Sequence, residues 1–175
     1  MDLTTLLLPV SLLFVGAVLV LNGLWMLGRI EDREITIINF VTATITGAVA
    51  LLIVLNADSA ADIGAAALTM LFSVTYLWVG FNRVFRLDGR GLGWFSLFVA
   101  VTVLPQGLSV LSNAQGIMEI WLGLSWLAWS GLWLMYFFAL ALRRNIATHT
   151  AFATLGTGVA TAWVPALVRI YGVAA

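Results

Sequence analysis

The sequence has no cysteine and no lysine, a single histidine and three prolines, and only 9 % of its residues carry charge. Without cysteine, disulfides, thiolate metal sites and thiol nucleophiles are excluded. Eight basic residues balance eight acidic ones, so a formal net charge of zero removes the electrostatic reason to bind nucleic acid. A chain of 175 residues that is 62 % hydrophobic cannot cover itself with polar surface in water, so it reads as a membrane protein. The connecting stretches are too short for a second domain, and residues 1–175 read as one. The first apolar segment begins at Asp2 rather than with basic residues and has no small-x-small site before Arg29. It reads as a retained helix, not a signal peptide.

What the sequence does have is apolar runs of about 20 residues, each long enough to cross a bilayer. They extend from about Leu3 to Gly28, Ile35 to Asn56, Ile63 to Phe85, Leu92 to Leu111 (with Pro105 inside), Ile117 to Leu142 and Thr148 to Tyr171. Backbone groups in lipid must be paired internally, so the fold class is all-α, with six transmembrane helices. The connections are short, so consecutive helices form three antiparallel hairpins. Seven of the eight arginines lie in or beside the loops after helices one, three and five. By the positive-inside rule these loops face the cytoplasm and both termini face out, with Arg169 snorkelling at the outer end of helix six.

The inventory for catalysis is thin. His149 sits at a membrane boundary. Glu31, Asp32 and Glu34 on one side, and Asp58 and Asp62 on the other, read as solvated loop charges. Glu119 starts helix five, where a carboxylate complements the helix dipole or flanks an outer vestibule. No metal-ligand cluster is apparent, so no cofactor, metal or catalytic residue is expected. Deep in the spans the polar groups are neutral: Asn22, Asn82, the Asn39/Thr42/Thr46 face of helix two, and the stripe Thr150, Thr154, Thr157, Thr161 of helix six. Such groups serve as interhelical glue, at about 0.6 kcal/mol each, or line a path.

Helix five carries four of the eight tryptophans, in IWLGLSWLAWSGLWLMYFF. Trp126, Trp129 and Trp133 are spaced 3,4, which puts three indoles on one helix face over roughly 10 Å. Lipid-facing tryptophans prefer the headgroup level, and this ladder runs deeper. It either packs against neighbouring helices or walls a path for something small, neutral and polar. Trp121 lies about 140° round from Trp126 and reads as an outer-interface anchor. An ion path would need a shaped carbonyl filter or charged ring, and neither is evident.

Several blocks then resemble the AmiS/UreI family of urea and short-chain amide channels: LLFVGAVLVLNGLW, Asn39-Phe40, FSVTYLWVGFN followed by LD, GWFSLFVAVTVLP, WLAWSGLWL and TAWVPA. Their order and spacing match the family over essentially the whole chain. The resemblance implies both termini outside and a homohexamer in which each protomer has its own pore. The residues that fall on the family's pore constrictions are Val15, Leu19, Asn22, Phe72, Tyr76, Trp126, Trp129, Leu132 and Trp133. It also implies urea or short-chain amides as permeants, membrane lipid as surroundings, and a bacterial inner membrane as location.

Two departures shape the expectation. Acid-gated members carry a glutamate in helix six, six residues before the Trp of TAW. Here that position, counted from Trp163, is Thr157, which therefore joins the expected pore lining. Those members also have long, histidine-rich outer loops, which are short and histidine-free here, so the usual titrating sensor of mild acid is missing. Leu122 stands where another family tryptophan would be. The expectation is a passive channel for urea and short-chain amides without acid gating. The alternatives are an ion- or proton-coupled carrier of small amides and a non-transporting scaffold.

Overall fold

The computed structural model describes residues 3–172, so Asp2 lies outside the described residues. Six helices account for nearly all of them: α1 (Leu3–Met26), α2 (Ile35–Leu55), α3 (Ala60–Val84), α4 (Arg90–Ser112), α5 (Ile117–Ala141) and α6 (Ala147–Tyr171). All six are long and apolar enough to cross a membrane, and no strand occurs among the described residues. The helix ends differ from the hydropathy reading by a few residues. α3 starts at Ala60 rather than Ile63 because Ser59 and Asp62 form a capping box. The Ser59 hydroxyl accepts from the Asp62 N–H at 3.2 Å, and the Asp62 carboxylate accepts from the Ser59 N–H at 3.1 Å. Asp62 is thus a first-turn capping residue and not a loop charge. Pro105 does not break α4, which runs on to Ser112.

α1, α3 and α5 terminate at the same end of the molecule by the same device. Gly28, Arg86 and Arg143 adopt left-handed conformations, with φ of 74°, 52° and 53°. Each lets the next residue's N–H turn back onto a carbonyl of the last turn: Arg29 onto Leu24 (3.0 Å), Leu87 onto Asn82 (2.9 Å) and Arg144 onto Phe138 (2.9 Å). Two of these stops use arginine, where the Cβ costs about 1–2 kcal/mol. At this arginine-bearing end Asp88 receives the Arg90 backbone N–H (3.0 Å) and guanidinium (2.6 Å), and Arg143 lies at 3.4 Å. The Arg90 hydrogen bonds, with Arg143 adding to them, hold the Asp88 carboxyl below its usual range.

The helices form a closed ring. Each packs on its neighbour in chain order, and α6 returns to pack on α1. The α2–α3 and α4–α5 hairpins are the most intimate pairs, while α3–α4 and α5–α6 touch sparingly. Glycine makes the closure possible. A Cβ on Gly16 of α1 would stand 2.8 Å from the Trp163 backbone nitrogen, and one on Gly158 of α6 would stand 2.8 Å from Leu19 Cβ. Without hydrophobic pressure between helices in lipid, backbones must approach closely to gain van der Waals contact. α5 and α6 each contain one π-helical stretch, Phe137–Ala141 and Gly158–Trp163. Large side chains such as Leu55, Phe98, Val101 and Phe152 point out of the ring.

Gly16→Ala is expected to destabilise the protein by about 1–3 kcal/mol, because its methyl meets backbone that cannot yield. Gly156→Ala, facing open space in the same helix pair, should instead stabilise by about 0.5–1 kcal/mol. Thermal midpoints in detergent compare the two. Equal shifts of the same sign would contradict the close approach of α1 and α6.

Candidate functional site

Inside the ring, Phe72 of α3 meets all three tryptophans of the α5 ladder. Its ring stacks on Trp126 at 5.8 Å and on Trp133 at 4.7 Å, and meets Trp129 edge-on at 5.2 Å. These are the offset and T-shaped geometries that aromatic quadrupoles favour. The 3,4 spacing of the ladder and the four-residue step from Phe72 to Tyr76 present both sets to the same space. Val15, Leu19 and Asn22 of α1 close the third side, and Leu92 and Ser96 of α4 close the fourth. The result is a narrow, mostly apolar slot with a free volume of about 30 Å³. From Trp126 at its end to Tyr136, α5 runs along the slot over roughly 15 Å.

The polar atoms of this wall are held from behind. Trp129 Nε1 donates to Thr161 Oγ1 of α6 at 2.7 Å. Trp133 Nε1 donates to Thr75 Oγ1 at 3.3 Å. The Tyr136 hydroxyl pairs with Thr154 of α6 at 2.9 Å. Asn22 and Asn39 of α2 exchange two amide hydrogen bonds, at 2.7 and 3.2 Å. Farther along α2, Thr46 pairs with Ser73 of α3 at 2.7 Å. α2 and α6 therefore do not line the slot; apart from Thr75 of α3, which holds Trp133, they supply the acceptors and donors that fix α1, α3 and α5 around it. Tyr76 is the exception: its hydroxyl has no hydrogen-bond partner among the described residues, and it lines the slot. No carboxylate or imidazole lines the slot.

Wider recesses lie beyond each end. On the side of the chain termini, a recess of about 650 Å³ is bordered by Leu8, Ser11, Thr69, Gln106 and Trp126. Trp126 stacks on Phe72, so that pair separates this recess from the slot. On the arginine-bearing side, a recess of about 180 Å³ includes Trp25, Asn82, Arg83 and Arg144. It shares Val79, Leu92 and Tyr136 with the slot. Near it, Trp25 Nε1 donates to Asp32 at 2.7 Å, and Arg83 lies over the Trp25 ring at 5.2 Å with Asp32 at 3.8 Å.

Of the residues the sequence singles out, Val15, Leu19, Asn22, Phe72, Tyr76, Trp129, Leu132 and Trp133 line the slot itself. Trp126 borders the wider recess at its end. Thr157 lines neither: it is half-buried, its carbonyl receives the Thr161 hydroxyl at 2.6 Å, and Thr161 is the side chain that reaches the ladder. Trp121 is half-buried rather than a free anchor, donating to the Ala160 carbonyl in the π-helical stretch of α6 at 2.9 Å. Glu119 is exposed and accepts the Gln115 backbone N–H, a first-turn role. His149 is exposed at the start of α6. The sequence reading missed Thr75, Val79, Leu92, Ser96 and Tyr136. Thr75 and Val79 were within reach, since they continue the Phe72–Tyr76 face at helical spacing.

The family model described as AmiS/UreI family transporter matches residues 7–173. A protein of Mycolicibacterium smegmatis named for the transport of amidate substrates is 40 % identical over 171 residues, spanning 93 % of this chain and 76 % of its own. The AmiS2 transporter protein of Rhodococcus erythropolis is 37 % identical, covering 93 % of this chain and 79 % of its own. The crystal structure of the urea channel of Helicobacter pylori superposes with a TM-score of 0.82 at 30 % identity, over 94 % of this chain and 98 % of that one. Its cryo-electron microscopy structure in the closed state gives 0.85 at 26 % identity, over 96 % and 100 %. With six membrane-crossing helices and a family match over nearly its whole length, the chain is a multi-pass membrane protein and belongs to the AmiS/UreI family of transporters.

Proposed function

We propose that residues 1–175 form one channel unit that passes urea and short-chain aliphatic amides passively, through the slot between α1, α3 and α5, without acid gating and without enzymatic activity. The observation that carries this reading is the slot wall. Flat aromatic faces and aliphatic side chains enclose it, the indole N–H groups of Trp129 and Trp133 are already bonded, and the free polar group is the Tyr76 hydroxyl. Such a wall suits a small, flat, neutral molecule that gives up part of its hydration. An ion would find no charge to replace its water. The names of the relatives support the permeant class, and the two higher identities belong to the amide side. The arginine-bearing loops face the cytoplasm in this reading, both termini face outward, the membrane is the bacterial cytoplasmic one, and the protomers assemble as a homohexamer.

Stopped-flow flux in proteoliposomes tests the path. Trp133→Ala and Tyr76→Ala should change urea or acetamide flux several-fold, whereas Trp94→Ala, on the outer surface, should leave it near wild type. Equal effects would contradict the slot as the path. Uptake that collapses when an uncoupler is added would replace the channel by a coupled carrier.

No imidazole or carboxylate lines the slot or the recesses at its two ends, so no group of the kind that senses mild acid faces the path. Flux is expected to vary by less than about twofold between about pH 5 and 7.5. A steep rise on acidification would show an acid gate.

A further inference from the structure

The recess on the arginine-bearing side differs in chemistry from the neutral slot it adjoins. Asn82 is only 3 % exposed and lines the recess, and its amide has no hydrogen-bond partner among the described residues. Gly89, with φ of 81°, leaves that amide open on one side, where a Cβ would lie in van der Waals contact with Asn82 Nδ2 at 3.8 Å. Two guanidinium groups share the recess. Arg83 has its Nε buried without a partner, and Arg144 forms no ion pair among the described residues. No carboxylate lines the recess. Asp32 touches Arg83 only at 3.8 Å from a largely exposed position and is shared with Trp25, and Asp88 is taken by Arg90 and Arg143.

An unpartnered buried amide beside two cations wants an oxyanion. The remaining walls, among them Met26, Val79 and Leu140, are apolar, and the free volume of about 180 Å³ suits an anion with a short alkyl tail. We propose that this recess is a binding site for a small aliphatic carboxylate, the anion left when a short-chain amide takes up water and releases ammonium, and that its occupant throttles amide flux from that side. The throttle follows from position, because Val79, Leu92 and Tyr136 belong to both recess and slot, so a bound anion stands across the slot mouth. This part rests on the slot being the permeation path; the anion site itself does not. Lipid headgroup phosphate offers related oxyanion chemistry, but it lacks the short apolar tail that the walls fit.

Calorimetric titration of propionate into the full chain in non-ionic detergent, at constant ionic strength, tests the site. Saturable binding is expected, weakened at least about tenfold by Asn82→Asp, which keeps the shape and adds a negative charge. Arg144→Gln, at an exposed position that the fold does not need, should weaken it several-fold. Arg33→Gln, outside the recess, should leave it unchanged. Propionamide should not displace propionate. Absence of saturable binding, equal affinity in Asn82→Asp and Arg144→Gln, or tighter binding of glycerol phosphate than of propionate would overturn the assignment. In oriented proteoliposomes, propionate on the arginine-bearing side should slow urea flux and propionate on the opposite side should not; binding without that asymmetry would overturn the throttle. A chain that binds propionate but passes no urea would break the channel reading and keep the anion site, whereas urea flux without propionate binding would do the reverse.

Discussion

A tryptophan N–H or asparagine amide turned toward the middle of a membrane must be paired, because lipid offers it nothing and an orphaned donor costs about 1–3 kcal/mol. That constraint organises this ring. Two helices, α3 and α5, supply the slot's rings and α1 and α4 complete its walls, while α2 and α6 carry asparagine and threonine to the backs of lining side chains. Each pairing both satisfies an atom and fixes a rotamer. The Trp129–Thr161 and Tyr136–Thr154 bonds also join α5 to α6, two helices that otherwise touch sparingly. The threonines satisfy their own hydroxyls on carbonyls one turn back, as Thr154 does on Thr150 and Thr161 on Thr157.

The outcome is a slot defined by shape and by neutrality. With the indole donors bonded to the protein, what faces the slot is chiefly the π faces and edges around Phe72. The π-helical stretch of α6 packs chiefly on α1 and also reaches α5. It frees the Ala160 carbonyl for Trp121 and contains Thr161, the partner of Trp129. Such widened turns are uncommon and collect at functional segments. Glycine at 16 and 158 keeps that segment close against α1.

Much of this was legible in the sequence. Six apolar runs separated by charge had one reading, and the placement of arginine after alternate helices matched the end where α1, α3 and α5 stop in left-handed residues. The ladder's face followed from its spacing, whereas Phe72 and Tyr76 were singled out by the family resemblance. What was hidden depended on tertiary partners or on departures from helical period. Periodicity put Thr157 on the same stripe as Thr150, Thr154 and Thr161, but only the other three are buried, and Thr161 alone reaches the ladder. Asp62 read as a loop charge because hydropathy cannot see a cap. Nothing along the chain indicated that Asn22 would pair with Asn39, or that α4 would contribute Leu92 and Ser96 to the wall.

The absence of cysteine makes the central claim directly measurable, since any thiol introduced is the only one. Single substitutions Leu19→Cys and Leu132→Cys place a thiol in the slot, and Phe98→Cys places one on the outer face. Urea and acetamide flux would be followed in proteoliposomes before and after a small neutral thiol reagent. The account predicts that labelling at 19 and 132 blocks both permeants while labelling at 98 does not. Unimpaired flux through fully labelled Leu19→Cys and Leu132→Cys proteins would show that the amides travel elsewhere.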